Sequence, residues 1–181
     1  MEDIKVYYKN LEDNLVDLII EEQAKLGYQK EMIRFYYPLS SLNHFFRSKC
    51  NAEQMQELLT DFPAYMQEKY GEVHVSHKED RFCFRLSEKA SEYIYENRNP
   101  NAFIIQLVHL LAHHDTTMQQ VIDLFNAQDV RCEIEPVTHG EFDILIRFID
   151  SKDRYYYCFK DESCHIIYHR FLPEDYEDFN F

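Results

Sequence analysis

Past Gly71 the apolar residues of this chain change period. Before it, Leu11, Leu15, Leu18, Ile19 and Leu26 recur at the spacing that stacks side chains on one helix face. After it, Val73 and Val75, then Phe82, Phe84 and Leu86, alternate with His74, Ser76, Cys83 and Arg85, the rhythm of a strand with one face in water. Helical spacing returns at Ala102, and strand-like runs occupy the last third of the chain. Helical and alternating stretches that are grouped, and not interleaved one for one, predict an α+β fold with antiparallel sheets.

The segments can be placed one by one. Asn10 and Gly27 bracket a helix from about Leu11 to Leu26. Ile33 to Tyr37, closed by Pro38, reads as a short strand. Leu39 to Arg47 is helical, and Asn51 caps a further helical stretch reaching Tyr70, in which Pro63 kinks or divides the chain. Val73 to Leu86 is a β-hairpin turning at His77 to Asp80, and Ser87 opens a helix that ends before Asn99 and Pro100. Ala102 to His113, apolar nearly all round, predicts a central buried helix, and Asp115 is placed to cap the next, with Met118, Val121, Ile122 and Phe125 on its stripe. Val130 to Ile134, Phe142 to Ile149, Tyr155 to Phe159 and Cys164 to Phe171 form an antiparallel meander, and Pro173 to Phe179 a closing helical turn.

The order of elements in the first half resembles a winged helix, with the hairpin as the wing and Asn51 to Tyr70 where a recognition helix would stand. Two domains are expected. Residues 1–98 form the winged-helix-like one; residues 99–181 form a helix pair plus an antiparallel sheet, packed closely on the first. The stretches YYPLSSLNHFF, CHIIYHRF and EDYEDF resemble those of an uncharacterised bacterial domain-of-unknown-function family. The resemblance spans nearly the whole chain and implies that the two halves belong to one unit; it implies no activity and no site residues.

Charge narrows the function. The 181 residues carry 19 Lys and Arg against 33 Asp and Glu, a formal charge of −14. Residues 1–98 hold 13 basic and 18 acidic side chains, residues 99–181 six and fifteen. Such a balance disfavours nonspecific nucleic-acid or anionic-membrane binding, both of which depend on dense Lys and Arg. No run of 18 apolar residues exists, and the first residues have neither a basic nor an apolar leader region, so a cytoplasmic location with no membrane attachment is expected. Cys50, Cys83, Cys132, Cys158 and Cys164 are odd in number and never spaced as CxxC, which predicts reduced, mostly buried thiols and excludes a zinc ribbon. Three isolated glycines, Gly27, Gly71 and Gly140, cannot write a phosphate loop or a dinucleotide fingerprint.

Three constellations remain. His109 and His113 are four apart on a predicted helix, a spacing that can hold one metal ion, with a core or helix-end role as the plainer reading. His165 and His169 lie about 13 Å apart along a strand and cannot share an ion. Cys164 and His165 point to opposite strand faces, and Cys158 is placed to face His165 across a tight turn. Neither thiol has surroundings that would activate it, and no residue qualifies as catalytic or cofactor-binding. In the predicted wing, Lys78, Arg81 and Arg85 are candidates for nucleic-acid contact, whereas Glu53, Glu57, Asp61 and Glu68 against Lys69 make the preceding helical stretch repel phosphate. A basic patch joining Lys78, Arg81 and Arg85 to Arg34 or Arg47 favours the nucleic-acid reading; a cleft holding His109, His113 and a carboxylate favours a metal-dependent enzyme.

The meander supplies the last feature. One face takes Phe142, Ile144, Ile146, Phe148, Tyr155, Tyr157 and Phe159; its reverse, with Leu145, Ile149, Tyr156, Ile167 and His169, is more apolar than water requires. The two predicted helices or a partner, a second copy of this chain included, must cover it. The expectation is therefore a non-enzymatic protein-interaction module without cofactor, the alternatives being a winged-helix DNA-binding regulator and a metal-dependent enzyme.

Overall fold

A computed structural model describes residues 4–178. The fold is α+β, and the chain divides into two compact units, Met1–Ile105 and Gln106–Phe181.

The first unit opens with α1 (Ile4–Leu26). This helix starts two turns earlier than its leucine stripe suggested, and Asn10 lies inside it, because Tyr8 extends the apolar face and packs on the rings of Phe46, Phe62 and Tyr65. The stripe also stops sooner: Ile19 is buried but Leu26 is 74% exposed, and Gly27 leaves the helix at a φ of +80°. In β1 (Ile33–Pro38) Ile33, Phe35 and Tyr37 face the core while Arg34 and Tyr36 face outward. After α2 (Leu39–Phe45), Asn51 and Gln54 form a reciprocal capping box on α3 (Ala52–Leu58). A new helix, α4 (Phe62–Tyr70), carries Pro63 in its first turn, where a missing N–H costs nothing, so Asn51 to Tyr70 is two helices. The strands β2 (Val73–Lys78) and β3 (Arg81–Leu86) form the hairpin around Glu79 and Asp80, and α5 (Glu88–Asn97) follows.

The strands pair antiparallel in the order β1-β3-β2, which together with the element order resembles a winged helix carrying one extra break. Leu11, Leu15, Leu42, Met55, Leu59, Phe62, Phe82, Phe84 and Leu86 are wholly buried between sheet and helices. Each such side chain contributes about 1.5–3 kcal/mol relative to exposure.

One carboxylate lies inside this core. Glu12 of α1 is 1% exposed and accepts hydrogen bonds from Tyr65 Oη at 2.6 Å and Tyr70 Oη at 2.7 Å, with Lys9 Nζ and Lys69 Nζ each 3.4 Å away. Burial alone would raise its pKa. The two phenol donors and then the two ammonium groups outweigh that and hold the carboxyl below its ordinary range. Tyr65 and Tyr70 are correspondingly pushed up, by burial first and by the Glu12 charge second.

The boundary of the second unit falls inside α6 (Phe103–Leu111). That helix is not apolar all round in practice: Leu107 and Val108 are buried, whereas Gln106 and His109 are exposed. Thr117, and not Asp115, caps α7 (Met118–Asn126) in a box with Gln120. The four strands β4 (Cys132–Pro136), β5 (Ile144–Phe148), β6 (Tyr156–Asp161) and β7 (Ile166–Phe171) pair in chain order as an antiparallel meander, with α8 (Pro173–Asp178) after them. Phe179, expected in the closing turn, lies outside the described residues.

Ile146, Tyr157, Phe159 and Phe148 share one face, and Phe125 of α7 sits on it with ring centroids 5.2–5.9 Å from Tyr157, Phe148 and Phe159. The reverse is met by α8, whose Tyr176 packs on Tyr156 and Phe171; Arg154 holds the helix through Glu174 at 2.9 Å. Phe142 departs from the expected alternation. It precedes β5 and meets Phe171 edge-on, at 6.2 Å and 74°, on the reverse face. Among the described residues no helix is long and apolar enough to cross a membrane.

Candidate functional site

The outer face of β1-β3-β2 gathers the basic residues of the first unit. Because side chains alternate along a strand, its register fixes rows of neighbours. Arg34 stands opposite Arg85, and Arg85 opposite His74; next come Tyr36, Cys83 and Ser76, then Pro38, Arg81 and Lys78. Arg34, Tyr36, His74, Lys78 and Arg81 are exposed, and Arg85 is half-buried. Between the strands lies a shallow depression of about 390 Å³ lined by Arg34, Tyr36, His74, Ser76, Cys83 and Arg85.

No strand position on this face is acidic. The guanidinium of Arg81 lies 5.1 Å from the Tyr36 ring centroid, a cation–π contact that lays it against the sheet. Glu72, just before β2, approaches His74 at 2.9 Å, and Arg34, Lys78 and Arg85 have no ion-pair partner among the described residues. Like charges directly opposite one another in a ladder destabilise it. The pairs Arg34–Arg85 and Arg81–Lys78 are therefore unfavourable arrangements that an anion on this face would relieve.

The wing residues Lys78, Arg81 and Arg85 thus lie on one face with Arg34; Arg47 lies instead in the turn after α2. The signal for Arg34 was present in the outward phase of β1, but its partner strand was not. Glu53 and Glu57 on α3, Asp61 just before α4 and Glu68 on α4 are all exposed, so the position of a recognition helix presents carboxylates to solvent.

The histidine pair fares differently. His109 is exposed on α6, and His113, also exposed, lies two residues beyond the end of that helix. Thr116 ends the helix: its hydroxyl donates to the Leu110 carbonyl at 2.6 Å and its N–H to the His113 carbonyl. Among the described residues no group of three or more His, Cys, Asp or Glu is placed to hold a metal ion.

The cysteine expectations need correction. Cys164 and His165 do meet, Sγ to Nδ1 at 3.2 Å, because they sit in an exposed turn before β7 and not in a regular strand. Cys158 pairs in register with His169, not His165. All five cysteines are free, but only Cys158 is buried, which pushes its thiol up to about 12.

Fold and site together define an acidic α+β protein with a winged-helix-like unit, a cationic sheet face and a second unit built on a meander. A family model described as "Domain of unknown function, E. rectale Gene description (DUF3877)" matches residues 8–180, and the chain belongs to that family. Searches of curated proteins and of solved structures gave no match.

Proposed function

We propose that the chain is a non-enzymatic interaction module that docks an acidic segment of a partner protein on the outer face of β1-β3-β2. The observation that carries this reading is the direct opposition of like charges, Arg34 against Arg85 and Arg81 against Lys78, on a face with no acidic strand position. A folded chain gains nothing from that arrangement by itself, while a row of carboxylates laid across it would form charge-assisted hydrogen bonds to the guanidinium forks. Tyr36, 53% exposed beside them, supplies apolar contact area of the kind interfaces use.

A nucleic acid is the second reading, favoured by the basic face on which Lys78, Arg81 and Arg85 lie with Arg34. The exposed carboxylates of α3 and α4 stand against it, because a duplex that met the wing in the usual winged-helix manner would bring its phosphates onto them.

Fluorescence anisotropy of a labelled Asp/Glu-rich peptide and of a labelled duplex decides between the two. The expected result is saturable peptide binding that weakens as salt rises, no comparable binding of the duplex, and loss of peptide binding in the folded Arg34→Glu/Arg85→Glu double variant. Tighter binding of the duplex, or peptide binding unaffected by the double charge reversal, overturns the proposal.

A further inference from the structure

The second unit holds a groove of about 500 Å³ that neither the sheet core nor the cationic face uses. Its walls are the loop from Val137 to Phe142, the outward residues of β7 and Tyr176 of α8. That volume lies within the range of small-molecule sites. Phe142, Phe171 and Tyr176 line it as a connected series: Phe142 meets Phe171 at 74°, and Phe171 meets Tyr176 at 6.0 Å and 60°. Rings set at steep angles make corners and not a flat stack. Glu141 adds a carboxylate to the same lining, next to Phe142.

We propose that this groove is a binding site for a small organic cation, a quaternary or protonated amine held by the faces of Phe142, Phe171 and Tyr176 and by the carboxylate of Glu141. Aromatic rings carry negative charge on their faces and attract cations, most strongly where water is partly excluded. The surroundings agree in sign. Residues 99–181 carry fifteen acidic against six basic side chains, so the field around the groove concentrates cations. Lys160 is paired with Glu162 at 2.5 Å. An anionic ligand would face Glu141, and a neutral apolar one would make no use of that carboxylate.

The test uses the full chain, with choline as the cation and 3,3-dimethylbutanol as its neutral isostere, followed by titration calorimetry and by amide chemical shifts. Choline is expected to bind at least about tenfold more tightly than the isostere and to shift amides between Val137 and Phe142 and along β7. Glu141→Gln is expected to weaken choline several-fold without changing the isostere. Phe142→Leu, which keeps an apolar wall but removes the ring, is expected to weaken choline as well. Since Glu141 is exposed, its variant tests the idea even if a core-facing change were to disturb folding. Equal binding of choline and its isostere, choline shifts that lie away from the groove, no choline binding at all, or binding indifferent to Glu141→Gln would each overturn the proposal.

Discussion

Replacing Glu12 with Gln keeps the size of the side chain and removes its charge, which isolates what a carboxylate contributes inside the first unit. In the native protein Tyr65 and Tyr70 each donate to one of its oxygens, at 2.6 and 2.7 Å. Glutamine retains one carbonyl acceptor and turns the other position into a donor. One phenol then loses its acceptor, and the other keeps a neutral, weaker one. Hydrogen bonds to charged groups are worth about 1.5–3 kcal/mol, and an unsatisfied buried hydroxyl costs about 1–3 kcal/mol, so the expected loss at pH 7 is roughly 2–4 kcal/mol. Lys9 and Lys69 add little, since both are about half exposed to water at 52% and 54%.

The same residue gives a pH signature. A carboxyl held below its ordinary pKa contributes stability that is present above about pH 4.3 and is lost as pH falls through the lower folded value. The gap between wild type and Glu12→Gln should therefore narrow on acidification below about pH 5. Tyr65 and Tyr70 act at the other end. Their folded pKa values are raised, so stability should fall as pH climbs above about 10, where the unfolded phenols ionise first. Urea denaturation followed by far-UV circular dichroism gives the free energies, and hydrogen exchange of amides in α1 and α4 locates them in the first unit. A change below about 0.5 kcal/mol at pH 7, or a gap that stays constant down to pH 3, would refute the reasoning.

Two further outcomes follow from local geometry. Gly71→Ala should lower stability by about 1–3 kcal/mol, because φ +73° and ψ −151° lie in a region that only glycine adopts readily and an added Cβ would lie 2.7 Å from Ser87 Oγ. Its urea midpoint measures this, and an unchanged midpoint contradicts it. Cys158, fully buried with its thiol pushed up to about 12, should resist a thiol-specific disulfide reagent at pH 8 until denaturant is added, while exposed Cys164 reacts at once. Mass spectrometry of the labelled peptides reads the order, and equal labelling rates would show that the meander opens far more readily than its burial implies.

Much of the architecture was legible because it depends on local pattern. The hairpin, the Asn51 cap and the division at Pro63 are written in a few consecutive residues each, and so is the outward phase of Arg34, Arg81 and Arg85. Where reading failed, a non-local contact or a neighbouring side chain had decided the outcome. Asn10 is a good cap by type, yet Tyr8 found three rings to pack on and carried the helix past it. Asp115 is a good cap by type, yet Thr117 and Gln120 formed the capping box of α7. Glu12 gave no signal as a buried residue, although it follows Tyr8 by one helical turn, because its donors lie more than fifty positions away on α4.

The order of elements, the α+β class and the family resemblance were thus determined by the sequence alone, since hydrophobic period and capping chemistry act within a turn or two of the chain. The tertiary structure alone decided which strand lies beside which, and with it the rows that bring Arg34 to Arg85 and His74 across about forty to fifty positions of sequence. It likewise decided that Phe142 leaves the alternation to meet Phe171. Period tells which way a side chain points; only the packed fold sets what it points at, because strand register and helix contact are fixed by the burial of many distant groups at once.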